Sequence, residues 1–529
     1  MGVRGIVEVV VVLLAAIAAI ATLARKLAIP YPILLTLGGL LLGLVPELPE
    51  VTLAPDLVLL LVLPPLLYAA AWDTSWRDFK ANGRVIALLA LGLVFATVAS
   101  VAAVAHAFIG LDWGAALALG AIASPTDALA ATTIMERLDA PRRLVAIVEG
   151  ESLVNDASGL VAYRFAVAAV LAGGSSLASA TGQFVVLAVG GVLVGAAVGL
   201  AQMQLLARLD DRPVEILVGV VGAYTAFLLA DRLHVSGVLA CVSAGLVASR
   251  LAPRVIRSST RLDAYAFWET LEFLLNGLVF ILLGFQARAI WREISAAPTS
   301  RLILAGAVVA LTVIVTRLLW VFAAAWLPRL LSRRLRARDP FPGWRPLVVI
   351  GWAGMRGAVS LALALALPRD GVTFPGRALL VYLTFCVILF TLVAQGLTLA
   401  PLMRRLGTVG RGDPREELVA RRATVRAGLA RVEQLLDAPW APPRGTGEHL
   451  VGHYEDRLRT LDGLAHMDGG ADGGDAPFDA AAARGSQRLR LEGVDAERRE
   501  LIRLRNAGAI DDEVFHRLER DLDLEEQRP

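Results

Sequence analysis

The 529-residue sequence is short of charge, of lysine and of cysteine, and each shortage excludes something. Only 19% of its residues are Asp, Glu, Lys or Arg against 56% hydrophobic, outside the balance of soluble globular domains and typical of a membrane protein. Lysine occurs only at Lys26 and Lys80, and neither ends a Gly-x-x-x-x-Gly-Lys stretch, so no P-loop is present to cradle a nucleotide. The same scarcity excludes Schiff-base lysines and lysine proton relays within the membrane, which leaves an ion gradient as the driving force for any transport. Cys241 and Cys386 lie inside apolar runs, where a small soft side chain packs well, and they offer neither a disulfide scaffold nor metal-ligand spacing. No cofactor and no enzyme chemistry are expected. The stretch from Arg404 onward holds 21 Arg and 25 Asp plus Glu of the chain's 51 basic and 48 acidic residues. The overall excess of +3 reflects loops facing anionic lipid, not nucleic acid.

A helix needs about 20 apolar residues to cross roughly 30 Å of hydrocarbon. Thirteen runs answer that need, near 5–24, 29–45, 53–72, 85–109, 113–135, 144–171, 181–206, 214–231, 233–250, 268–287, 301–327, 347–367 and 377–400. Arg25 and Lys26 follow the first run, whereas a cleaved signal peptide carries its positive charge in front. Lys and Arg gather on the cytoplasmic side, and alternate loops separate cleanly, with twenty basic residues on one side and five on the other. This predicts an N-terminus outside a bacterial inner membrane and a cytoplasmic tail, partly helical and partly disordered, over 404–529. An odd number of crossings makes segments 1 to 6 and 8 to 13 two inverted six-helix repeats. The predicted fold class is an all-α polytopic membrane protein, with residues 1–403 as its transmembrane domain.

Transporters built from inverted repeats place their site where corresponding segments are broken by Gly or Pro. Segment 5 reads Ala121-Ile-Ala-Ser124-Pro125-Thr126-Asp127, and Pro removes a backbone donor. Segment 12 reads Gly351-Trp-Ala-Gly354-Met-Arg356-Gly357. Both are predicted to be helices interrupted near the midplane. A charge there is costly, and the charges gather in a few segments: Asp127; Glu149, Glu151, Asp156 and Arg164; Glu269 and Glu272; Arg317; Arg356. In segment 6, Ser152 and Asp156 are four apart, as are Glu151 and Asn155, which puts the two pairs on adjacent stripes of one polar face. Hard monovalent cations prefer oxygen ligands, and Asp156, Ser152, Thr126 and the carbonyls freed around Pro125 could supply them. Desolvation disfavours the charged form of a carboxylate, so one group can hold a cation and a proton in turn.

Three ordered motifs, Ser124-Pro-Thr-Asp127, Glu151-Ser-Leu-Val-Asn155-Asp156 and Gly354-Met-Arg356-Gly-Ala, resemble the monovalent cation/proton antiporter-1 family of bacterial sodium/proton antiporters and animal sodium/proton exchangers. Pro64-Pro65-Leu-Leu-Tyr68 and His234-Val-Ser-Gly237 also resemble its pattern, so the likeness extends over about residues 30 to 400. The resemblance implies Na⁺/H⁺ exchange by alternating access, with Li⁺ or K⁺ as further cations. Asp156 would be the shared proton and cation carboxylate. Asp127 and Thr126 would sit at the crossing, with Ser152 as a further ligand. Asn155 before Asp156 implies electroneutral exchange. Glu151 would pair with Arg356 inside the moving core. The resemblance also implies a homodimer, with a scaffold of about residues 1–72 and 214–287 and a core of about 85–171 and 301–400. Many relatives carry Glu where this chain has Ala69, which removes a frequent cation ligand and keeps K⁺/H⁺ exchange as the alternative. An ion channel or ion-responsive sensor is the competing class, but no ring of charges or repeated filter accompanies the carboxylate cluster.

Other features carry blander readings. Arg317 has several possible carboxylate partners, Glu269 and Glu272 among them. Arg164 either lowers the proton affinity of Asp156 or snorkels to the outer interface. His106, near the outer end of segment 4, is a lone interfacial histidine. Gly191, Gly195 and Gly199 form a small-residue packing face. In the tail, His449 and His453 have metal-pair spacing among solvated charges. Residues 413–437 and 484–526 read as amphipathic helices, and Ala496 to Glu526 either pairs with its copy or regulates the protein.

Overall fold

A computed structural model describes residues 3–45, 55–74, 76–172, 177–256, 258–294, 298–339, 341–368 and 374–410, with scattered positions between 426 and 462. The chain divides into two units, Met1–Gly412 and Asp413–Pro529. The expected tail helices, the His449 and His453 pair and the segment from Ala496 to Glu526 lie outside the described residues, apart from isolated positions.

Every described element of the first unit is helical. In chain order these are α1 (Val3–Leu27), α2 (Tyr31–Gly43), α3 (Leu63–Asp73), α4 (Trp76–Ala87), α5 (Val94–Val104), α6 (Trp113–Ile122), α7 (Leu129–Arg137), α8 (Arg142–Ala172), α9 (Leu177–Leu206) and α10 (Arg212–Arg232). There follow α11 (Gly237–Val255), α12 (Ser258–Phe285), α13 (Ala287–Ile294), α14 (Thr299–Leu331), α15 (Arg333–Arg338), α16 (Trp344–Trp352), α17 (Ala358–Leu365), α18 (Arg377–Phe390) and α19 (Gly396–Leu406). Short π-helical stretches at Leu57–Val62, Leu88–Leu93, Ala105–Ile109 and Thr391–Gln395 adjoin α3, α5 and α18. Among the described residues, eight helical stretches are long and apolar enough to cross a membrane. Shorter apolar helices at Tyr31–Gly43, Leu57–Asp73, Trp113–Ile122 and Gly237–Ala252 accompany them.

Local chemistry sets several boundaries. Asp211 accepts a hydrogen bond from Val214 N at 3.2 Å, and a proline in the first turn opens α10. The Ser236 hydroxyl accepts from Leu239 N at 3.3 Å to start α11. Gly407, at φ +64°, ends α19 in the left-handed conformation that glycine adopts freely. Two expected segments are split: α6 stops at Ile122 and resumes as α7 at Leu129, and α16 stops at Trp352 and resumes as α17 at Ala358.

One buried apolar cluster runs through α2, α5, α6, α8, α14 and α16 to α18, and a second is shared by α3, α9, α10, α11 and α12. The glycine face on α9 packs as expected: Gly191, Gly195 and Gly199 lie against the backbone of Ser236, which caps α11, and of Ala240 and Ala244 within it. A Cβ on Gly199 would come 3.0 Å from the Ala244 carbonyl oxygen, and one on Gly195 would meet the Ala240 carbonyl directly. Gly195→Val is therefore expected to cost about 1–3 kcal/mol through overpacking, seen as a lower thermal midpoint of the purified protein. An unchanged midpoint would mean that α9 and α11 can move apart without loss.

Candidate functional site

The two breaks cross and are pinned to each other through backbone. Asp127 N donates to Met355 O at 2.8 Å, and the Arg356 side chain donates from Nε to Ala123 O at 2.8 Å. Gly357 lies against the Asp127 carboxylate so closely that any Cβ there would collide with Oδ2, which explains a glycine at this position. The half-helix ends at the crossing expose unpaired backbone groups and a partial charge, and side chains answer three of the four. Asp127 Oδ1 accepts from Leu129 N at 2.9 Å, at the positive start of α7. Arg356 reaches Ala123 O, at the negative end of α6. Arg317 donates to Ile350 O at 3.2 Å from Nε and 3.0 Å from Nη2, in the last turn of α16.

The polar face of α8 meets this crossing. Ser152 Oγ donates to Thr126 O at 2.7 Å, and Thr126 Oγ1 donates to Glu151 Oε1 at 3.2 Å. Asn155 Nδ2 donates to Thr126 Oγ1. Thr126, Asp127, Ser152, Asn155 and Asp156 are thus brought together, with Glu151 behind them.

The expected pairing of Glu151 with Arg356 is replaced by another. Glu151 forms a two-pronged ion pair with Arg317, which includes Arg317 Nη2 to Glu151 Oε2 at 2.9 Å, and both side chains are buried. The reason is positional: Arg356 lies in the broken segment, where Ala123 O and, at 3.2 Å, Gly354 O take its N–H groups. Arg317, by contrast, projects from the middle of α14. Sequence alone could not choose its partner, because 166 positions separate the two residues and no short-range spacing links them. Arg164 instead approaches Asp231 at 3.8 Å, both side chains half exposed, which suits the snorkelling alternative. His106 Nδ1 lies 2.7 Å from Leu111 O, and its ring stacks on Trp113 with centroids 4.4 Å apart, a local packing role.

A cavity of about 460 Å³ reaches the crossing. Asp127, Thr126, Ser152 and Asp156 line it with Pro125, Gly357 and Ser360. Its wall also carries Asp73, Glu136, Glu149, Glu269 and Glu272 and no Lys, Arg or His among the described residues. Asp156 is buried, lines this cavity and has no hydrogen-bond or ion-pair partner among the described residues, unlike Glu151. Glu149, Glu269 and Glu272 are among the charges expected within the membrane, whereas Asp73 and Glu136, at the ends of α3 and α7, join them only through the fold. Ala69 is buried and is not part of the wall, which its neighbours Leu66, Leu67 and Ala70 line.

Two interrupted helices crossing inside an apolar helical bundle, with carboxylates at the crossing and a cavity leading to them, define a secondary ion transporter. The comparisons with known proteins agree. The chain belongs to the sodium/hydrogen exchanger family, whose transmembrane region it matches over residues 12–405. An uncharacterized Na⁺/H⁺ exchanger of Mycobacterium tuberculosis is 37% identical over 516 residues, which cover 95% of this chain and 92% of the relative. The Na⁺/H⁺ antiporter ApNhaP of Aphanothece halophytica is 34% identical over 418 residues, 78% of this chain and 77% of its own. The sodium proton antiporter MjNhaP1 of Methanocaldococcus jannaschii has the same fold, with a TM-score of 0.62 over 77% of this chain and 99% of that one at 19% identity.

Proposed function

We propose that this protein exchanges cytoplasmic Na⁺ for external H⁺, one for one and without net charge movement, by alternating access of a single site at Asp156 and Asp127. The observation that carries the reading is charge balance at the crossing. Two buried guanidiniums, Arg317 and Arg356, belong to the crossing with three carboxylates, Glu151, Asp127 and Asp156, so one positive charge is wanting. One Na⁺ or one H⁺ supplies it. Loaded with either, the site is neutral and can cross a low-dielectric barrier; empty, it carries a charge that is costly to move. Competition for Asp156 thereby couples the two fluxes. Thr126 and Ser152 add oxygen ligands, while Asn155 orients Thr126.

The wider organisation belongs to the same proposal: thirteen crossings in two inverted repeats, an N-terminus outside, a cytoplasmic tail and a homodimer in the inner membrane. On that topology Asp73, Glu136, Glu149, Glu269 and Glu272 lie towards the cytoplasmic end, and the cavity admits cytoplasmic cation. K⁺/H⁺ exchange is the second reading, supported by a Bacillus pumilus relative, 31% identical over 517 residues, that is named a sodium, potassium, lithium and rubidium/H⁺ antiporter.

The test uses everted vesicles from antiporter-deficient bacteria, with a pH-sensitive dye and added NaCl, LiCl or KCl. Dequenching with Na⁺ is expected, at a rate unchanged when permeant thiocyanate collapses the membrane potential. A response to KCl alone would assign the second reading, and a rate that follows the potential would refute one-for-one exchange.

A further inference from the structure

Beside the crossing lies a buried group that the exchange mechanism leaves unused. Gln395, at the end of the π-helical stretch Thr391–Gln395, is fully buried, and neither its amide nitrogen nor its amide oxygen has a hydrogen-bond partner among the described residues. Buried amides are nearly always satisfied, and π-helical turns recur at functional positions. The residues on either side of Gln395 show where it points. Thr391 Oγ1 accepts from Arg356 N at 3.1 Å, and Thr398 Oγ1 accepts from Trp352 Nε1 at 2.9 Å. Thr391, Gln395 and Thr398 are spaced four and three residues apart, so they share one helix face, turned to the broken stretch between Trp352 and Arg356. A Cβ on the adjoining Gly396 would meet Met355 Sδ at 3.7 Å, which places Met355 on the same contact. In that stretch Arg356, itself fully buried, also has a nitrogen, Nη2, with no partner among the described residues. An orphaned acceptor and an orphaned cationic donor thus belong to two elements in direct contact.

We propose that Gln395 is a positioning residue whose carboxamide accepts a hydrogen bond from Arg356 Nη2 in the opposite-facing state of the transport cycle. This rests on the alternating-access reading above. The bond is missing here and made there, so it lowers the opposite-facing state relative to this one and sets how readily the carrier turns over. It leaves the cation ligands untouched, because Arg356 meets the crossing through the Ala123 carbonyl and not through Asp156.

Gln395→Met removes both orphaned atoms at nearly constant volume, and Gln395→Leu is the second apolar replacement; the result is read on the more stable of the two. The maximal Na⁺-driven exchange rate per inserted protein is expected to fall about tenfold, the net worth of a hydrogen bond to a charged group. The Na⁺ concentration giving half-maximal rate is expected to stay unchanged or fall. The thermal midpoint of the purified protein is expected to hold or rise, because a desolvated amide has been removed from the resting state. A wild-type rate overturns the proposal. So does a lowered midpoint, which would show that the amide is already satisfied in this state. Asp156→Ala, assayed beside it, separates the two hypotheses: exchange surviving in that variant refutes the site assignment itself, whereas an inactive Asp156→Ala with wild-type Gln395→Met refutes only the role of Gln395.

Discussion

Replacing Asp156 by Asn is expected to abolish exchange while leaving the protein inserted and at least as stable as before. Asn keeps the shape of the side chain and removes its charge. With Asp156 neutral, two guanidiniums face two carboxylates at the crossing, and the site no longer wants a cation. A monovalent ion held near the midplane without that carboxylate meets a penalty of about 2.5–3.5 kcal/mol even on lenient insertion scales, so occupancy and rate fall on the order of a hundredfold or more. Stability should move the other way, because the wild-type carboxylate is buried with no direct partner among the described residues. Asp156→Glu keeps the charge but displaces it by one methylene, and measurable exchange is expected to remain. Dye dequenching in everted vesicles, normalised to protein in the membrane, checks both. Wild-type exchange from Asp156→Asn would remove the assignment of this residue.

The second large effect is on folding. Glu151→Gln strips the counter-charge from Arg317, whose side chain is 1% exposed, and an uncompensated buried charge costs about 3–5 kcal/mol. The amount of folded protein recovered from membranes and its thermal midpoint should both drop sharply, and Arg317→Met should do the same by stranding Glu151. The double replacement Glu151→Gln with Arg317→Met should recover most of the loss, because removing both partners of a buried pair is often close to neutral. Glu151→Gln with Arg356→Met should not recover it. Rescue by the Arg356 combination instead would restore the pairing expected from the motifs and refute the geometry described here.

The contrast between these pairs shows what the sequence could carry. The apolar runs were legible because crossing hydrocarbon imposes a length on every helix, and each expected run overlaps described helix, whereas α15 and most of α4 and α13 fall outside the runs. Both interruptions were legible too, since Pro125 and the glycines at 354 and 357 act on the backbone where they stand. The stripe of Ser152 and Asp156 followed from helical spacing within one element. Arg317 was not legible as the partner of Glu151, nor Asp231 as that of Arg164, because each pair joins distant segments and depends on which helices become neighbours. Gln395 escaped notice for a different reason. A lone glutamine in an apolar run has no distinguishing pattern, and only its burial without partners makes it notable.

The acidic wall of the cavity has a consequence for where ion choice is made. Carboxylates spread over the cavity wall, with no basic residue among the described wall residues, enrich cations as a counter-ion atmosphere does, by valence and not by radius. Such a wall governs how often an ion arrives and makes arrival fall as ionic strength rises. It cannot tell Na⁺ from K⁺. On the site proposed above, that discrimination would fall to the few oxygens of Asp127, Asp156, Ser152 and Thr126, with the entrance as a reservoir and the crossing as the sieve.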